Sequence, residues 1–244
     1  TAGTTYYLGF YEYTASPGCY NSTATALQAA IQTAPSDQVL LGTGTTATDG
    51  SYGGPFYNLY ENAKTQMLYK AAELGGSGDI TDIAFDISQI ASSSYRAFTN
   101  FSIKLMHSST TSFGTAYENT GSATEVYAGA STYNMPSSTG WLTFDITDFT
   151  YNGTDNLLVE IVWGDNGTDV WTYTPYYVNH TDYSSGAEYL LTYGRNDGET
   201  PPNYDGRSYI RPNVQFTKSC NVGPGVANSS VTAFPTCETT TTLS

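Results

Sequence analysis

Residues Trp141–Trp163 read WLTFDITDFTYNGTDNLLVEIVW, and the pattern in this stretch decides the fold class. Leu142, Phe144 and Ile146 alternate with Thr143, Asp145 and Thr147, the period of a strand with one buried face. Asn152, Gly153 and Asp155 then accept left-handed backbone or bond their own turn. From Leu157 to Trp163 nearly every position is apolar, as in a strand covered on both faces. β-Branched and aromatic residues dominate, and Asn152-Gly153 interrupts them, so a helix across the stretch is excluded. Strand, turn, strand is the reading, and it belongs to the middle of an all-β antiparallel β-sandwich.

Outward from this stretch, short apolar runs recur every ten to fifteen residues, the rhythm of a sandwich or barrel. The pattern predicts a sandwich domain over 39–217. Its strands are expected at 80–87, 99–107, 124–130, 142–146, 157–163, 170–178, 188–193 and 213–217, after a segment at 60–69. Ala71–Leu74 predicts one helical turn before Gly75-Gly76. Residues 1–38 form an N-terminal extension. Within it Tyr6, Leu8 and Phe10 would share one face of an extended stretch, with Tyr7, Tyr11 and Tyr13 on the other. Residues 25–33 (TALQAAIQT) carry helical spacing for about two turns, too few to stand alone. Residues 218–244 are a Thr-rich tail expected to fray unless it docks. The chain opens on Thr1 and is read as a mature, processed form, with no apolar run long enough to cross a bilayer.

Charge narrows the function. The formal net charge is −14, from 8 basic and 22 acidic residues, which excludes nucleic acid and anionic membrane surfaces as partners. Charged residues make up 12%, about half the usual share, and Thr, Ser, Gly and Tyr fill the difference, as in extracellular β proteins. Cys19, Cys220 and Cys237 imply one disulfide and one spare thiol in an oxidising compartment, with the pairing open. A Cys220–Cys237 bridge would contribute about 3 kcal/mol through loop closure. Without a CxxC pair, and with two His residues in all, no metal site and no cofactor is expected.

Five blocks together suggest a family: QMLYKAAELGGSGDITDIAFDIS (66–88), FSIKLMHSSTTSF (101–113), TGWLTFDIT (139–147), FTYNGTDNLLVEIVWGDN (149–166) and RPNVQFT (211–217). In this order they resemble a β-sandwich domain of secreted and cell-surface proteins of Bacteroidota, many of them exported by the type IX system. The resemblance covers about residues 39–217. It implies a jelly-roll-like sandwich, secretion and a surface or matrix role, and it carries over no catalytic residue. Such domains usually sit inside longer multidomain chains, whereas this one lies between an extension and a Thr-rich tail.

No catalytic motif stands out. His107 and His180 lack a GxSxG partner motif, and Ser and Asp are too plentiful for their proximity to inform. Glu118, Glu125, Asp145, Asp148 and Glu160 are carboxylates of the type glycoside hydrolysis needs. Glu160 is the odd one, a charge on an apolar strand, and its plainer role is an ion pair with one of the few cations or an outward-facing position. The loops 165–169 and 203–206 offer oxygen ligands for calcium, but Asn-Gly and Asp-Gly are first of all turn formers. Trp163, Trp171, Tyr173, Tyr176 and Tyr177 are close enough in sequence to build a sugar-stacking platform, with core packing as the plainer alternative. Asn21, Asn100, Asn152, Asn166, Asn179 and Asn228 head Asn-X-Ser/Thr sequons, modestly more than chance gives in so hydroxyl-rich a chain.

Two functions follow as expectations. One is a non-enzymatic extracellular structural subunit that self-associates into a homopolymeric filament or layer. In it Tyr6, Leu8, Phe10, Tyr11 and Tyr13 form a strand donated to a neighbour's sheet edge, with pairing inside its own chain as the alternative for the same segment. The other is a carbohydrate-binding or adhesive sandwich module.

Overall fold

A computed structural model describes residues 8–10, 25–27, 36–47, 54–129, 132–164, 172–198 and 201–219. The chain divides into two compact units, Thr1–Pro35 and Ser36–Ser244. In the first, β1 (Leu8–Phe10) pairs antiparallel with β2 (Thr25–Leu27), Leu8 opposite Leu27. The helix expected over 25–33 is therefore replaced by strand at Thr25–Leu27, while 28–33 lie outside the described residues. Two helical turns have too few internal hydrogen bonds to persist alone, and an adjacent extended segment supplies the backbone partners instead.

The second unit is an antiparallel β-sandwich. Its strands are β3 (Ser36–Leu41), β4 (Thr46–Ala47), β5 (Asn62–Tyr69), β6 (Gly78–Gln89), β7 (Ala97–Thr99), β8 (Ser102–Ser108) and β9 (Thr124–Ala128). They continue with β10 (Thr132–Asn134), β11 (Gly140–Tyr151), β12 (Asn156–Trp163), β13 (Tyr177–Asp182) and β14 (Leu191–Asn196). The last are β15 (Gly206–Ser208), β16 (Ile210–Pro212) and β17 (Val214–Ser219). One sheet has six strands in the order β15-β14-β5-β12-β8-β9. The other has seven: β6 pairs along one edge with β11 and along the other with β17 and β13, β3 lies outside β17, and β13 also carries β16 and β4.

The core is what the facing sheets bury between them. From the six-stranded sheet come Met67, Tyr69, Ile103, Leu105, Leu157, Val159, Ile161 and Trp163. From the other come Ile80, Ile83, Phe85, Ile87, Phe144, Phe149, Val214 and Phe216. Phe56, Phe85, Phe101 and Phe144 stack or meet edge to face at centroid distances of 5.3–6.2 Å. The small sheet β7–β10 adds Phe98, which stacks on Trp163 at 4.3 Å.

β11 runs well past the expected 142–146, because a bulge changes its parity. Asp145 pairs with Asp82, but the next pair is Phe149 with Ile80. The extra residues turn the inward set from Phe144 and Ile146 to Phe149 and Tyr151, so both halves of the strand feed the core. The turn at 152–155 then carries the chain into the other sheet, where β12 lies between β5 and β8. Gly153 has φ +77°, and a Cβ there would sit 2.5 Å from the Ser77 amide nitrogen, so this corner requires glycine. His107 accepts a hydrogen bond from the Asn152 amide at 3.2 Å and packs on Phe149 at 4.9 Å, fixing the corner from the other sheet.

Other expectations fare unevenly. The turn α1 (Ala71–Leu74) forms as expected and ends at Gly75, φ 71°. The strand expected at 170–178 begins at Tyr177 instead. Before it, Thr172 caps the amide of Thr174, and Pro175 has no N–H for a ladder. The strand expected at 99–107 is broken at Asn100, φ 48°, which separates β7 from β8. The sandwich starts at Ser36 rather than Val39 and runs to Ser219.

Candidate functional site

The two sheets treat their outer faces differently, and the candidate site follows from that difference. Residues 109–123 fold back over the six-stranded sheet. Phe113 packs there with Leu68, Leu158 and Leu190, all buried, in a second small core. Beside it Glu160 is 2% exposed; it pairs with Lys64 at 3.0 Å and accepts hydrogen bonds from Gln66 at 2.8 Å and Thr120 at 2.9 Å. Gln66 and Glu118 exchange side chain–backbone bonds, both at 2.9 Å. Tyr117 donates to the Lys64 carbonyl at 3.2 Å and lies 4.5 Å under its ammonium. Burial raises the Tyr117 phenol far above its ordinary pKa, with Asp205 and Glu160 adding to the effect. Glu160 thus takes the ion-pair role, and the roof over it is a structural lock.

A second buried lock lies at the margin of this sheet. Arg211 is fully buried and donates to both carboxylate oxygens of Glu73 at 2.7 and 2.9 Å, to the Leu68 carbonyl at 2.7 Å and to Tyr183 at 2.8 Å. Its guanidinium also stacks over Tyr69 at 4.4 Å. Burial works against ionisation of Glu73, but the Arg211 hydrogen bond and charge outweigh it and hold the carboxyl below its usual range.

All but one of the other cations are engaged as well. Lys70 pairs with Glu188, and Lys218 is buried with its ammonium on the Leu74 and Gly76 carbonyls. Arg96 donates to the Ala91 carbonyl at 2.9 Å, whereas Lys104 stands opposite Glu160 and Glu125 in the strand register without an ion pair to either. Arg195 sits against the rings of Tyr57, Tyr60 and Tyr193, and Arg207 against that of Tyr189. These eight are every Lys and Arg in the chain.

The outer face of the seven-stranded sheet is open among the described residues. Trp141 (44% exposed) pairs with Asp86, Thr143 with Ala84, and Asp145 with Asp82; Gln215 and Leu40 (53% exposed) continue the Ala84 row. Asn179 donates to Asp86 at 2.7 Å, and Thr81 to Asp82 at 2.8 Å. Of the three strongly exposed large hydrophobics among the described residues, Trp141 and Leu40 share this face and Tyr173 is the third.

The expected aromatic platform disperses. Trp163 is 0% exposed and donates from its indole to the Pro55 carbonyl at 2.9 Å. Tyr176 is buried against Phe98 and donates to the Pro136 carbonyl at 2.7 Å; burial pushes its phenol up to about 12. Tyr177 is half-buried and stacks on Tyr57 at 6.0 Å, Tyr173 is exposed, and Trp171 lies outside the described residues. Parity explains the loss of Trp163: it shares the face of Leu157, Val159 and Ile161, the face that meets the core. The same rule identifies Trp141, which shares its parity with Thr143 and Asp145 and therefore points outward.

Leu8 and Phe10 lie in a strand paired within their own chain, and Tyr6, Tyr11 and Tyr13 fall outside the described residues. So do Cys19, Cys220, Cys237, Asn21, Asn166, Asn228 and the loop 165–169. Asn100 and Asn152 are exposed, while Asn179 is half-buried and bonded to Asp86. Asn152 accepts the Thr154 and Asp155 amides, closing its own turn. In the loop 203–206 Asp205 accepts the Arg195 amide at 2.8 Å, the turn-forming role of its residue type. No group of three or more metal-ligating side chains occurs among the described residues. Comparison with known proteins finds no matching family model, no matching curated protein and no matching solved structure.

Proposed function

We propose that the chain is a non-enzymatic extracellular structural protein, a subunit that polymerises into a surface filament or layer by adding a strand to a neighbour's sheet. One observation carries this reading: a separate strand-bearing N-terminal unit precedes β3 in the chain, and among the described residues β3 is an edge strand that pairs with β17 alone. An edge of this kind is a template for a further strand, with main-chain hydrogen bonds supplying affinity. Head-to-tail addition does not close on itself and so builds filaments. The hydroxyl-rich, cation-poor composition and the resemblance to secreted sandwich domains support the extracellular setting.

Electron microscopy of the native protein at neutral pH tests the reading. Regular filaments are expected, and loss of assembly on deletion of residues 1–20. Discrete monomers at all concentrations would sink it.

A second reading, a carbohydrate-binding module, is favoured by the exposed Trp141 on an uncovered, hydroxyl- and amide-bearing sheet face. Aromatic faces pair with the apolar faces of sugar rings, and the flanking polar groups orient the hydroxyls.

A further inference from the structure

We infer that the open face of the seven-stranded sheet binds a polysaccharide of amino sugars carrying free amines, with Trp141 as the stacking residue. This rests on the carbohydrate-binding reading and names its ligand class.

The first argument is shape. Trp141 on β11 and Leu40 on β3 stand three strands apart, about 14 Å at ordinary strand spacing. Apolar groups that far apart suit an extended chain of rings lying across the strands, not a single sugar.

The second argument is charge. Asp82, Asp86 and Asp145 share the face with Trp141, and no basic residue does. None of the three forms an ion pair among the described residues. An acidic glycan is repelled. A second copy placed face to face sets three carboxylates against three, and no Lys or Arg lies on the face to offset them. A cationic ligand gains twice: its ammonium groups meet the carboxylates, and one lying over the indole gains cation–π attraction. Asn179, bonded to Asp86, and Thr143 add polar groups of the kind that orient ring hydroxyls.

The test is calorimetric titration of the full chain with a glucosamine hexamer, its N-acetylated counterpart and a cello-hexamer at low salt. Self-association is followed in parallel by analytical ultracentrifugation. Trp141→Ala and Asp145→Asn are the variants, because both side chains are exposed and neither is in a lock; thermal melts confirm that each still folds. The expected result is binding of the glucosamine oligomer at least tenfold tighter than of either neutral one. It should weaken about tenfold or more in Trp141→Ala, weaken less in Asp145→Asn, and fall with added salt. Equal affinity for the neutral oligomers, lost in Trp141→Ala, overturns the amino-sugar assignment and leaves the carbohydrate reading standing. No binding of any of the three, or binding indifferent to Trp141, overturns both. Self-association that disappears in Trp141→Ala assigns the face to a second copy and overturns the inference.

Discussion

The two outer faces of this sandwich are built on opposite plans. Over the six-stranded sheet a loop closes a small apolar core around Phe113 and buries a charged network around Glu160. All three ion pairs among the described residues draw a partner from β5 or from Lys70–Leu74, which continue it. Over the seven-stranded sheet the described residues leave an indole, a leucine and three aspartates facing outward. The difference is already written in the strands. β12 (NLLVEIVW) is apolar at successive positions because both its faces are covered, whereas β11 (GWLTFDITDFTY) alternates because one is not. The cations keep to the same contrast: buried charge must be paired, so Lys64 and Arg211 are locked to carboxylates, and no Lys or Arg stands on the open face.

The sharpest way to break this contrast is to unpair the covered side. Arg211→Ala should cost about 3–5 kcal/mol, since it strands Glu73 and the Leu68 carbonyl. Urea denaturation would show it, and a loss under about 1 kcal/mol would mean that the lock contributes little. Phe113→Ala should cost about 3 kcal/mol, toward the lower end for such truncations because the satellite core is small. It should also speed amide exchange in 109–123 while leaving β11 unaffected. Equal acceleration in both would argue against an independent roof.

The finer comparison sets one carboxylate against another. Glu160→Gln keeps the shape but removes the charge from Lys64, and about 1–3 kcal/mol of stability should go with it. Asp145→Asn on the open face should stay within about 0.5 kcal/mol of the parent. Matching losses at the two sites would erase the distinction between the faces.

The smallest effect is a pH dependence. Glu73 titrates below its unfolded value, so its contribution is fully present above about pH 4.3 and is lost as the pH falls through the lower folded value. Urea midpoints from pH 5 to pH 2 should therefore fall more steeply in the parent than in Glu73→Gln. Parallel curves would show that Arg211 does not act through that carboxyl.

Much of this was legible from spacing alone. Alternation at 142–146 marked a strand with one open face, unbroken apolarity at 157–163 marked a covered one, and Ala71–Leu74 before Gly75-Gly76 marked the helical turn. Glu160 on an apolar strand already suggested an ion pair, and Lys64 supplies it. The candidate site was legible too, though by parity rather than by the crowding of aromatics. Trp163 shares the parity of inward residues and Trp141 that of outward ones, so the cluster at 163–177 drew attention from the residue that reaches solvent. Where β11 extends was not legible, because a bulge reverses the alternation that a strand prediction depends on.

By itself, then, the order of residues determined that the chain forms short antiparallel strands, which faces are covered and where the cations are needed. Those are properties of side chains and their period along one segment. Only the tertiary structure decided that the turn at 152–155 joins two sheets instead of closing a hairpin. It also decided that residues 109–123 are the roof and that Arg211 reaches across to Glu73. Backbone hydrogen bonds are the same with any partner strand, so a local pattern cannot name its neighbour. That choice depends on how the whole set of apolar faces packs, and on a close approach such as Gly153 against Ser77 that no stretch of sequence contains alone.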